Sequence, residues 1–197
     1  MLATVLGLEL LLQEPSIDLR MASELVLSDV GATLQVLQLV GDEYSASGER
    51  LYRMDECLAS LDVDAWFGKV SARTFVNDPD HMKTVVMWKH CRLIAQYSQL
   101  VAESLKVVSP EQAYLVGLLH EIEAISDSLG WNRAFGVIEP SVMEGIVPPF
   151  VHAALSSIAE GVPSIWNFIL SAAHDLARTD VDSVIRPDVR FMGLVAF

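Results

Sequence analysis

The sequence is short of cysteine, of positive charge and of long apolar runs, and each shortage closes off a class of protein. Its 197 residues include two cysteines, Cys57 and Cys91. They lack metal-type spacing, and two isolated thiols do not make a disulfide framework. They read as reduced cysteines of a cytoplasmic protein. Thirteen Lys and Arg stand against 26 Asp and Glu, a formal charge of −13, and the basic residues are scattered. A chain of this sign repels phosphate backbones and anionic lipid, so no nucleic-acid partner and no membrane is expected. Charged residues make up only 20%, below the roughly 25% of ordinary globular proteins. The most apolar stretch, Met1 to Leu12, is interrupted by Glu9 and has no basic leader or small-residue cleavage site. It is also shorter than the about 20 residues that cross a bilayer. Phosphate loops rich in glycine, G-x-S-x-G elbows and internal repeats are all missing.

What is present is apolar residues, at 52%. That excludes disorder and permits a sizeable core. Their spacing is helical throughout, and the expected class is all-α. Leu6, Leu10 and Leu11 mark a stripe on a first helix that stops before Pro15. Asp18 caps a second, with Leu19, Ala22, Leu25 and Val26 inward. Asp29 caps a third, with Leu34, Val36, Leu37 and Val40 inward and Gly41 as its stop. Two shorter helices are expected over Met54 to Leu61 and Ala65 to Phe75. Asp78-Pro79 opens a long helix with Val86, His90, Leu93, Ile94, Tyr97, Leu100, Val101 and Leu105 as its apolar stripe. Ser109, Pro110 and Gln112 form a helix start of the capping-box kind. The helix after it, Ala113 to Ile125, is apolar almost all round and belongs at the centre of the molecule. Further helices are expected over Phe150 to Ala159 and Ser164 to Ala177, joined through Gly161 and Pro163.

Polar residues inside these stripes matter because a buried polar group needs a partner. His90 lies on the long helix, His120-Glu121 in the most apolar helix, and His174-Asp175 in the last one. Three helices thus each direct imidazole or carboxylate toward one core, and such groups suit Zn, Mn or Fe ions. The bland alternative is a set of core histidines bonded to backbone carbonyls. His81 and His152 lie near helix starts and read as surface residues. Cys91 follows His90 directly, but helix neighbours point about 100° apart, so the two do not make a nucleophile and its base. Trp66, Trp88, Trp131 and Trp166 do not share a helix face, which argues against a base-stacking platform.

In order and spacing these segments resemble the HDOD family, a signalling branch of the HD superfamily. The similarity runs through "EPSIDLRMASELVLSD", "VGATLQVLQLVG", "LYRMDECLASLD", the tryptophan-histidine helix "MWKHCRLIAQYSQLVAESL" and "EQAYLVGLLHEIEAI". The resemblance implies an HD-like helical bundle in a single domain over 1–197. An N-terminal helical lobe over about 1–77 would pack on an HD-like lobe over about 78–197. The family starts slightly upstream of Met1, which suggests a piece of a longer protein. The superfamily's metal set, a histidine, a His-Asp pair and a distal aspartate, falls on His90, His120, Glu121 and Asp175. A glutamate stands for the pair's aspartate. Where active members continue Ile-Gly-Lys, Ile122 is followed by Glu123 and Ala124.

The resemblance therefore implies a degenerate metal site in a non-catalytic module of bacterial signal transduction. Such a module would act in the cytoplasm through a protein partner and without a cofactor. The alternative is a metal-dependent phosphohydrolase of nucleotides or cyclic dinucleotides, with a divalent metal on the same four residues. A third reading makes those residues a relict hydrogen-bond network, His90 and His120 pairing with Glu121 or Asp175.

Overall fold

A computed structural model gives the protein's fold and describes residues 2–14, 16–44, 53–71, 81–122, 124–125 and 149–185. Among them the chain is helical with no strand, as the spacing of its apolar residues predicts. Expectations for 45–52, 72–80, 126–148 and 186–197 lie outside the described residues. So do those for Trp131 and for the side chain of His81.

The N-terminal half holds α1 (Leu2–Leu12), α2 (Leu19–Leu27), α3 (Val30–Tyr44), α4 (Met54–Ser60) and α5 (Val63–Ser71). Asp18 starts α2 as its sequence position dictates, accepting from the backbone N–H groups of Arg20 at 3.0 Å and Met21 at 3.1 Å. Asp29 does the same for α3, accepting from Ala32 N–H at 3.1 Å. Gly41 does not stop α3, which continues to Tyr44. Without a turn demanding positive φ, a single glycine costs a helix only about 1 kcal/mol. α2 packs against α1, α3 and α4, and α5 closes on α3 and α1.

The second half holds α6 (His81–Leu105), α7 (Pro110–Leu119), α8 (Pro149–Ala159) and α9 (Ile165–Ile185). Ser109 Oγ caps α7 by accepting from Gln112 N–H at 3.3 Å. Its hydroxyl also donates to Glu111 at 2.6 Å. Gly161, at φ +67°, ends α8 in the left-handed conformation that glycine tolerates. Val162 N–H bonds back to Ser157 C=O there, at 3.0 Å. α6 runs along α7 and α9, and α8 covers α7 and α9.

Two predicted faces are corrected. On α1, Leu6 and Leu10 are 50% and 66% exposed, while Thr4 and Leu8 are buried. An almost wholly apolar helix has no polar face to reveal which side turns inward, so packing decides. On α6, Val86, Leu100 and Leu105 of the expected stripe are exposed while Ile94 is buried, and Thr84, Trp88, Cys91, Ala95, Ser98 and Ala102 are buried as well. Small residues let α7 come close, and Ser and Thr hide these positions from a hydrophobicity reading.

One contiguous core spans both halves, from Leu8 and Trp66 to Ile94, Leu119 and Ala173. α6 reaches the N-terminal half through α2. Trp88 Nε1–H donates to Leu27 C=O at 3.0 Å, and Arg92 pairs with Glu24 at 3.5 Å. Cys57 and Cys91 are buried free thiols, as their isolation in the sequence suggests.

Candidate functional site

Three side chains from three helices meet beside the C-terminal end of α7. α6 supplies His90, the end of α7 supplies His120, and α9 supplies His174. Their ring centroids form a near-equilateral triangle, 5.3 Å between His90 and His120, 5.1 Å between His90 and His174, and 5.2 Å between His120 and His174. One ring nitrogen from each lies within 4.8 Å of the others.

Gly117 makes the approach possible. A Cβ there would stand 2.7 Å from Ser98 Oγ and 2.8 Å from the Ala95 Cα of α6. Only hydrogen at this position lets α7 lie close enough to α6 for His120 to reach His90. The same residue orients the ring, since His120 Nδ1 lies 2.7 Å from Gly117 C=O. α7 ends at Leu119 with His120 as its cap, so His120 is at the helix end rather than in its interior. Carbonyls in a last turn have lost their helical donors, and the imidazole supplies one.

A carbonyl can only accept, so Nδ1 carries the proton and Nε2 keeps its lone pair. That Nε2 is buried and has no hydrogen-bond partner, and the His120 side chain is 8% exposed. A buried acceptor left in this state costs about 1–3 kcal/mol. Glu121 Oε1 lies 3.8 Å away, too far for a hydrogen bond. Burial is the main reason the His120 pKa falls below its ordinary value, with smaller contributions from His174 and His90. The Gly117 bond and Glu121 oppose the shift. His174 is also lowered, by burial first and then by His90 and Arg178. Both rings are thus held toward the neutral form that has a free lone pair.

The four residues expected from the resemblance do not all converge. His90 and His120 meet. Glu121 stands beside them with its side chain 45% exposed. Asp175 does not turn inward, contrary to expectation. Its side chain is 72% exposed and faces Arg178 at 3.6 Å. The relict network is likewise not formed at His120, whose Nε2 has no partner. In place of Asp175 the structure brings in His174. The signal was in the helical period, because Leu170, Ala173 and Ala177 are buried and position 174 falls on that side, while 175 falls with the exposed 171, 178 and 179. Cys91, one residue from His90, has its thiol pushed up to about 12 by burial and by Glu121. It is neither a nucleophile nor a thiolate ligand at neutral pH. His152 is exposed, as expected of a surface residue.

A second feature lies between the halves. A groove of about 330 Å³ runs beside α2, α4 and α7, lined among others by Arg20, Glu24, Arg53, Gln99 and Tyr114. Arg53 there is held by Asp55 at 2.6 Å.

In comparisons with known proteins, the family model of the HDOD domain matches residues 2–126. That range contains His90, His120 and Glu121 and excludes His174 and Asp175. No curated protein and no solved structure matches the chain.

Proposed function

The chain belongs to the HDOD family, and on that premise we propose that it is a non-catalytic regulatory module that binds a protein partner of a bacterial signalling pathway. The observation carrying this reading is the outward turn of Asp175, 72% exposed and engaged with Arg178. Two-metal hydrolysis uses carboxylates to hold paired ions about 3.5–4 Å apart around the attacking and leaving oxygens. Here the distal carboxylate faces solvent, and the remaining one, Glu121, is a methylene longer and half exposed. The change from Gly-Lys to Glu123-Ala124 points the same way, since it replaces a positive charge with a negative one directly after Glu121-Ile122 in the sequence. The groove between the halves, with both signs of charge along its rim, offers a surface for a partner.

The second reading, a metal-dependent phosphohydrolase, is favoured only by the convergence of three imidazoles. One experiment separates the two. Purified protein supplied with Mn²⁺, Mg²⁺ or Zn²⁺ is expected to leave nucleotides and cyclic dinucleotides intact. A photo-crosslinking residue in place of Arg20 is expected to capture one defined partner in cells, and the same residue in place of His152 is not. Turnover that disappears in His120→Ala would sink the regulatory reading.

A further inference from the structure

We propose that His90, His120 and His174 bind one transition-metal cation of the zinc class, each through one imidazole nitrogen. This goes beyond the regulatory reading and stands or falls independently of it.

The argument begins with His120. Its Nδ1–H is committed to Gly117 C=O at 2.7 Å, and its Nε2 is buried without a partner. Metal-binding histidines are commonly oriented in this way, with one ring nitrogen donating to a carbonyl and the other left bare for the ion. A ring-to-ring hydrogen bond would be the alternative, but it needs about 3 Å between nitrogens, and His120 Nε2 makes none.

The other two rings complete a set of suitable size. A tetrahedral ion with bonds of about 2.0–2.1 Å places its nitrogens about 3.4 Å apart. The three nitrogens lie within 4.8 Å of one another. A closure of about 1.4 Å at most is within reach of imidazole rotation, and His90 and His174 are only partly buried. Three imidazoles suit Zn²⁺ and its neighbours rather than Mg²⁺ or Ca²⁺, which take oxygen ligands.

The surroundings carry the right sign. The C-terminal end of α7 presents its negative pole, and Glu121 sets a carboxylate 3.8 Å from His120 Nε2. A dication here would tie α6, α7 and α9 together. The ligand set departs from the one implied by the superfamily, because the last helix contributes His174 and not its neighbour Asp175.

The full chain, stripped with a chelator, is titrated with Co²⁺ and then Zn²⁺. One Co²⁺ per chain is expected, with the visible bands of a tetrahedral, nitrogen-bound ion that Zn²⁺ displaces. Zinc should also raise the Tm of the stripped protein. His174→Ala is expected to weaken binding by more than about 100-fold, whereas Asp175→Ala leaves it unchanged. His90→Ala, on a different helix, gives the same reading if His174→Ala does not fold. A stripped protein that takes up no Co²⁺ overturns the proposal. So does binding that survives His174→Ala or disappears in Asp175→Ala. Nucleotide turnover by the loaded protein would instead overturn the regulatory reading alone.

Discussion

His120 is a core residue that helps the fold only while it is uncharged. Its pKa and that of His174 are lowered in the folded chain, chiefly by burial. The unfolded chain therefore binds more protons between the depressed values and the ordinary 6.5, and stability rises with pH across that window. The contribution is fully present above about 6.5 and is lost as pH falls through the depressed folded values. Urea unfolding of chelator-treated protein is expected to give a lower midpoint at pH 5.5 than at pH 7.5. His120→Asn should shrink that difference, and an unchanged difference would refute the assignment. Sequence alone placed His90 and His120 in the candidate site, because both interrupt apolar stretches. The resemblance assigned the fourth place to Asp175, and the structure corrects it, with Asp175 exposed and its neighbour His174 in the cluster. The helical period of the buried Leu170, Ala173 and Ala177 holds the signal that was passed over.

At the scale of the element, the decisive contact is the crossing of α6 and α7 at Gly117. Gly117→Ala sets two effects against each other. Alanine gains about 1 kcal/mol in helix propensity. Its Cβ, however, would stand 2.8 Å from the Cα and 3.0 Å from the N of Ala95, which are backbone atoms that cannot swing aside. Overpacking of this kind costs about 1–3 kcal/mol, and the helices would also have to separate. The expected outcome is a net loss of stability, read as a drop in the urea midpoint; a rise would refute the crossing geometry. Helix starts were legible from single residues such as Asp18, Asp29 and Ser109, because their chemistry is local. The inward faces of α1 and α6 were not, because they depend on what packs against them. Leu6 and Val86 are as apolar as Leu8 and Ile94, yet the first two are exposed and the last two buried. The close approach at Ala95, Ser98 and Gly117 leaves no hydrophobic signature at all.

Across the whole molecule the formal charge is −13; among the described residues the buried polar side chains are Thr and Ser, and no acid is buried. The core itself is continuous from α1 to α9. Trp88→Phe tests that continuity, since it removes the donor to Leu27 C=O and leaves a buried carbonyl unpaired, at a cost of about 1–3 kcal/mol. Circular dichroism and tryptophan fluorescence are expected to report one shared, lowered midpoint. Two separated transitions would show that the halves unfold apart. The place of Trp88 on α6 has one more consequence. Successive helix residues are turned by about 100°, so Trp88 and Arg92 point within about 40° of each other while His90 points to the opposite side. A single turn of α6 thus grips α2 with one hand and the histidine triangle with the other. Rolling the helix by about 20° about its axis moves each Cα by about 0.8 Å, enough to strain the 3.0 Å bond from Trp88 to Leu27. α6 is in effect an axle, and His90 cannot shift sideways without turning against the N-terminal half.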